Sequence, residues 1–409
     1  MPQTRHVGSD SLMATRDNTG DPLLFGQIRQ SEFLRDYWQR KPLLLRQALP
    51  DFRSPLSVDE VAGLALEDSI ESRLVLEQPG ADQPWSVHHG PFTEATLTDL
   101  PESHWSLLVQ AVDQWVPEVA ELLSAFRFLP AWRLDDIMIS VAPEHGSVGP
   151  HFDQYDVFLL QVEGHRRWTV GPACSPDTPI LEEAPLRILH NGVPQPSQSW
   201  TLAPGDMLYL PPQLAHHGVA LDTCMTWSIG FRAPDAAEAL QGLALRSELE
   251  ETIEFLRYSD AGMGLSEAGT PRLTGDSLQR LRSLLAQVTE RDDLLADWLG
   301  AFMTQNKYDL FDWRDLQGRE DEAESVLTEL TSEVEVRRAL PTRLSAWGTR
   351  LYVNGRAFLL SDSDQPLIDL LLDRDSWTGD ELLQGCGSEH GRKALSLLLL
   401  SGSLELVAQ

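Results

Sequence analysis

Cysteine is scarce in this chain: there are three in 409 residues, and Cys174, Cys224 and Cys386 stand far apart with no C-x-x-C spacing. That leaves no disulfide framework and no Cys-type zinc site, and it points to a reducing, cytoplasmic setting. No run of about 20 apolar residues occurs, so no membrane-spanning helix is expected. The polar opening MPQTRHVGSDSLMATRDNTGDP lacks the apolar core of a signal peptide and reads as a mobile tail over residues 1–22. Cations are in short supply too, with 32 Lys and Arg against 62 Asp and Glu and a formal charge of −30. Such a field repels phosphate backbones and attracts basic partners. It argues against direct nucleic-acid binding, which starts from a basic patch.

The 42% hydrophobic content and the length are enough for two or three domains of about 100 to 200 residues each. SEFLRDYWQRKPLLLRQ predicts an amphipathic helix ended by Lys41-Pro42 and then a short buried strand, Leu43–Leu45. Ser72 to Glu77 alternates like a strand, and the text from Ser103 to about Ala125 reads as helix. Past Pro130 the character changes to short strands between Gly and Pro: DDIMISVAP, YDVFLLQV, RRWTVG, SWTLAPGDMLYLPP, HHGVAL and CMTWSIGFR. Closely spaced short strands indicate an all-β barrel or sandwich. After Arg232 the text turns helical through Tyr258 and, beyond a Gly-rich break at Gly262 to Gly269, through Gln305, with apolar residues at three- and four-residue spacing that ask for a partner surface. An acidic segment, Gly318 to Glu335, precedes a last part whose strand, helix, helix, helix, strand order suggests a winged-helix-like unit for packing or protein contact.

The chemistry-bearing text is GPHFDQYDVFLLQVEGHRRWTV together with LYLPPQLAHHGVAL. In a pleated strand, residues i and i+2 share a face, so His151 and Asp153 can both aim into a barrel lumen. A histidine from a strand brought alongside completes two imidazoles and one carboxylate, the facial triad of non-haem Fe(II) oxygenases, with three coordination positions left open. His216 and His217 are adjacent and point to opposite faces of a regular strand, so only one can serve. Alternation also places one of Arg166 and Arg167 inward, where a carboxylate such as that of 2-oxoglutarate is a guanidinium's best partner. Ser140 and Ser228 can add hydroxyl donors, and Glu144, Tyr155 and Asp156 are candidate partners for a target guanidinium.

With these residues in view, the chain resembles the JmjC-type 2-oxoglutarate oxygenases, and among them the bacterial ribosomal oxygenases that hydroxylate an arginine in a large-subunit ribosomal protein. The likeness runs through YWQRKPLLLRQ, DDIMIS, GPHFDQYDVFLLQVEGHRRW, PGDMLYLPP and SIGFRAP. It implies a mainly β catalytic core, a JmjC or cupin-like double-stranded β-helix, over residues 23–234. It further implies an α-helical dimerisation region over 235–315, and hence a homodimer, and a C-terminal winged helix over 316–409. By position it puts the iron on His151, Asp153 and His216 and 2-oxoglutarate on Ser140 and Arg166, with succinate and CO2 as co-products and a basic ribosomal protein as substrate. Leu214 and Val219 match the family pattern with His216 in place. Two departures stand out: His165 where a basic residue is expected, and Ala215-His216-His217 in place of a Pro-His-Glu type sequence. The rival readings are a JmjC-type demethylase, an RNA hydroxylase and, outside enzymes, a metal-binding cupin.

Overall fold

The computed structural model describes residues 20–182, 184–245, 256–259, 261, 273–308, 313–316 and 325–407. The chain divides into two units, residues 1–233 and 234–409. Most of the expected N-terminal tail, the helical text of residues 246–255 and the Gly-rich break lie outside the described residues, as does part of the acidic segment.

The strands of the first unit are, in chain order, β1 (Leu23–Leu24), β2 (Ile28–Arg29), β3 (Leu43–Leu45), β4 (Ser72–Glu77), β5 (Trp85–His89), β6 (Trp105–Val109), β7 (Leu134–Ala142), β8 (Asp156–Glu163), β9 (Arg166–Ala173), β10 (Gln198–Leu202), β11 (Met207–Leu210), β12 (Leu214–Ala220) and β13 (Cys224–Phe231). Eight form the major sheet in the order β3-β11-β8-β13-β7-β6-β4-β5, and three form a minor sheet, β10-β9-β12. Register decides which residues face the space between them. Across β8, β13 and β7, Gln161 opposes Thr226 and Thr226 opposes Ser140, so these three share one face.

The opposite face of the major sheet carries Ile137, Ile139, Phe158, Leu160, Tyr209, Trp227 and Ile229, which build the principal core with Phe33 and Phe126 from the helical segments. Val157 and Leu159 instead pack towards the minor sheet against Trp168, Val170, Leu202, Leu208 and Leu210. Strand β8 is therefore covered on both sides, which is why DVFLLQV reads as one nearly unbroken apolar run. Strand β9 alternates because its outer face is wet: Arg166, Trp168 and Val170 are buried, while Arg167 is exposed.

The helix expected from Ser103 to Ala125 is corrected at its start. Residues Trp105–Val109 are strand β6, paired with β4 and β7, and short helical turns follow from Val112 to Phe126. Ser106, Leu107, Leu108 and Val109 are all buried, and a strand covered on both faces has no two-residue alternation to distinguish it from a helix. The first helix is also shorter than its text suggests, ending at Asp36, after which Gln39 takes a left-handed conformation.

In the second unit, helices Ala236–Leu245, Gly275–Thr289 and Asp292–Thr304 precede a winged-helix arrangement. The strands Glu335–Arg338, Ser376–Thr378 and Leu404–Val407 form one small sheet, and Leu344–Trp347, Arg350–Val353 and Arg356–Leu359 form the wing. Helices Gln365–Asp373, Gly379–Gly385 and Glu389–Leu400 close over a core around Val336, Leu351, Leu367, Leu371 and Leu395. Asp297 accepts from the Tyr352 hydroxyl at 2.9 Å and pairs with Arg350, fastening helix Asp292–Thr304 to the wing. On helix Gly275–Thr289, Leu278, Leu281 and Leu285 form an exposed stripe at three- and four-residue spacing.

Candidate metal centre and co-substrate pocket

His151 and His216 are side by side because their backbones exchange both hydrogen bonds, His151 N–H to His216 O at 2.9 Å and His216 N–H to His151 O at 2.8 Å. Their rings lie 4.3 Å apart. Asp153 Oδ2 is 3.9 Å from His151 Nε2 and 3.5 Å from His216 Nε2, and one ligand atom from each residue lies within 4.8 Å of the others. Among the described residues no second group of three meets that condition.

The second ring nitrogens settle the tautomers. His151 Nδ1–H donates to Gly149 O at 2.9 Å and His216 Nδ1–H to Leu214 O at 2.8 Å. A carbonyl only accepts, so each Nδ1 carries a hydrogen, which leaves Nε2 as the ring nitrogen available to a metal ion. Two imidazoles and a carboxylate on one side of a cavity suit a divalent ion of the iron class. A register shift between Leu214 and His216 turns His216 towards the cavity. His217 points elsewhere, its Nε2 lying 3.0 Å from Ser147 Oγ.

Burial and the neighbouring His151 hold the His216 imidazole down at about 4, and burial does the same to His217. In the unfolded chain both would titrate near about 6.5. The unfolded state therefore binds more protons throughout that window, and the metal-free protein is expected to lose stability as pH falls from about 6.5 to about 4. Thermal melts of chelator-treated protein across that range check this, and a flat melting temperature would contradict the assignment.

Arg166 starts β9 facing the lumen and is only 4% exposed, yet its Nε and Nη2 have no hydrogen-bond partner. Such N–H groups fit a bound carboxylate, and the triad lies on the same minor-sheet face through His216, Trp168 standing between them along the register. Ser140 is buried opposite, its Oγ donating to Thr226 O at 3.3 Å. Thr226 Oγ1 donates to Gln161 Oε1 at 3.0 Å, so Gln161 and Thr226 form a polar shelf that sequence reasoning overlooked. The available signal was Gln161, the single polar residue inside FLLQV. Ser228 shares that face and is half-buried.

Three guanidinium candidates separate. Tyr155 is 43% exposed, and the neighbouring Asp153 carboxylate, with Asp136, holds its phenol well above the usual tyrosine range, so it stays protonated. Asp156 is corrected: it is fully buried on the opposite side of the major sheet, where Tyr209 O–H, Gln39 Nε2 and Arg133 Nη2 donate to it. Glu144 is exposed beside His145 at 3.7 Å. A further carboxylate, Asp136, lies on the lumen face of β7 and accepts from Gln110 Nε2 at 2.8 Å. His165, the first departure, is exposed and tied to Asp222 by its backbone N–H and by its ring at 2.8 Å.

Two sheets facing each other across such a lumen form a double-stranded β-helix, and the family model for the JmjC domain matches residues 121–239. The model for the ROXA-like winged helix matches residues 282–405. The Escherichia coli ribosomal protein uL16 3-hydroxylase is 38% identical over 68% of this chain and 72% of its own. A probable ribosomal oxygenase of Haemophilus influenzae is 36% identical over 73% of this chain and 74% of its own. A solved Escherichia coli ribosomal oxygenase in complex with cobalt and 2-oxoglutarate superposes with a TM-score of 0.75 at 32% identity, covering 93% of this chain and 99% of that one. The chain belongs to the JmjC-type ribosomal oxygenase family. No helix among the described residues is long and apolar enough to cross a membrane.

Proposed function

We propose that this protein is an Fe(II)- and 2-oxoglutarate-dependent oxygenase that hydroxylates an arginine side chain of a basic large-subunit ribosomal protein, releasing succinate and CO2. The observation that carries the reading is one lumen holding both a three-ligand cluster and a buried guanidinium with unpaired N–H groups. His151, Asp153 and His216 hold the ion, and Arg166 binds the distal carboxylate of 2-oxoglutarate, with Ser140 on the facing strand. When bound, iron and 2-oxoglutarate supply the activation of dioxygen that inserts one oxygen atom into a C–H bond and one into succinate. The chain itself orients the co-substrate, keeps the lumen closed by the apolar layer around Trp168 and Leu208, and places the target side chain at the mouth.

The acidic balance near Tyr155, with Asp135, Asp136 and Asp153 against the single cation Arg73, supports a basic target over an RNA phosphate. The net charge of −30 adds long-range attraction for a basic protein. The exposed leucine stripe of helix Gly275–Thr289 supports a homodimer, and unpaired cysteines suit the cytoplasm.

Purified protein incubated with Fe(II), 2-oxoglutarate and arginine-containing peptides from basic ribosomal proteins is expected to form succinate and to add one oxygen atom to a peptide, as mass spectrometry would show. Formaldehyde release would favour the demethylase reading, and absence of succinate with every peptide would remove the oxygenase reading.

A further inference from the structure

We infer that Ser147 and His217 are positioning residues for the metal centre: together they fix the peptide carbonyl that aims the His151 imidazole, a role that rests on the ligand set of the proposed function. A chain of hydrogen bonds joins His217, on β12, to the ligand carried by the other segment. His217 Nε2 lies 3.0 Å from Ser147 Oγ. Ser147 Oγ accepts the Gly149 N–H at 3.0 Å, and Gly149 O accepts Nδ1–H of His151 at 2.9 Å. The departure Ala215-His216-His217 then has a use: the residue after one ligand steadies the segment that bears another.

Residues 145–151 run beside β12 and are anchored to it at both ends. At one end His145 N–H donates to Ala220 O at 2.9 Å and Ala220 N–H to Gly146 O at 3.0 Å; at the other, His151 and His216 exchange both backbone bonds. Between these anchors the side-chain bond from Ser147 to His217 joins the segment to the strand. Gly149 has φ +81°, and a Cβ there would lie 2.9 Å from Ile188 Cδ1 and 3.3 Å from Trp85 Cζ2, so its Cα is boxed in as well. Pro150 O, the next carbonyl, accepts from Leu189 N–H at 2.7 Å. The peptide facing His151 is thus held before, at and after Gly149, and an imidazole whose Nδ1–H is held by a fixed carbonyl presents Nε2 in one direction. Ser147 is only 2% exposed. Its Oγ has one hydrogen and two lone pairs, of which Gly149 N–H takes one; either of the others serves His217, so both ring tautomers keep Oγ in place.

The test uses the full chain, stripped of metal and titrated with Co(II) alone, and reads the affinity and the visible absorption of the bound ion. Ser147→Ala and His217→Ala should each weaken Co(II) binding about three- to tenfold, the loss of a neutral hydrogen bond that supports a ligand's own partner. Because both residues act on one carbonyl, the double variant should bind little worse than the weaker of the two single variants. The Co(II) absorption bands of the alanine variants should shift, since they report the direction of the ligands at the ion. Unchanged affinity in either alanine variant overturns the inference, and so do additive losses in the double variant. So do Co(II) bands left unmoved, which together with a lowered melting temperature of the metal-free variants would mark a merely structural role. Failure of the unmodified protein to bind Co(II), or retention of Co(II) by His216→Ala, counts against the ligand set of the proposed function instead.

Discussion

Arg166→Met is expected to raise the melting temperature of the ligand-free protein and at the same time to weaken 2-oxoglutarate binding severely. The two effects have opposite signs because one group causes both. Without a bound carboxylate, Nε and Nη2 of Arg166 are buried and unpaired, and the folded protein carries that desolvation cost without return. Methionine has similar length and no polar atom, and replacing buried charge by a well-packed apolar residue is neutral or stabilising by about 1 to 4 kcal/mol. For a unit of this size, stabilisation near the lower end corresponds to a rise of about 2 to 4 °C. Loss of two charge-assisted hydrogen bonds, each about 1.5 to 3 kcal/mol, should raise the 2-oxoglutarate dissociation constant at least about a hundredfold. Differential scanning fluorimetry and calorimetry with Co(II)-loaded protein measure the two quantities. A destabilised variant that still binds 2-oxoglutarate normally would show that Arg166 serves the fold and not the co-substrate.

The second large effect separates the adjacent histidines. His216→Ala removes one of three ligand atoms and should lower metal affinity and succinate formation by at least about a hundredfold. His217→Ala should retain the metal, because its ring is turned to Ser147, and any loss should stay within about tenfold. Metal content after gel filtration and succinate yield are the readouts. If His217→Ala empties the site while His216→Ala does not, the triad assignment is wrong.

Much of this architecture was legible in the text because barrel strands keep their turn signals: each strand from β7 to β13 matches a segment bounded by Gly, Pro or Asp. Strand β6 escaped because it is covered on both faces and so lost the alternation that marks a half-buried strand. At the site, the i, i+2 spacing brought out His151 and Asp153, while the pair His216 and His217 needed the register shift after Leu214 to be told apart. Asp156, a candidate partner for a target guanidinium, instead serves a hydrogen-bonded cluster with Tyr209 and Arg133 under the sheet. Asp136 and Gln110 went unseen because only the pairing of β7 with its neighbours reveals which of Asp135 and Asp136 faces the lumen. No local pattern in DDIMIS carries that information.

The two histidines of the cluster stand on segments held together by reciprocal backbone bonds, one arriving just before β8 of the major sheet and the other within β12 of the minor sheet. An ion bound between them would act as a cross-brace on that seam. Its binding free energy would then be shared with the closing of the barrel, so the occupied protein would resist opening more strongly as free metal rises above the dissociation constant. The same coupling makes the His151 and His216 amides internal reporters of occupancy: their hydrogens exchange with solvent only when the seam parts, and the brace makes that parting rarer.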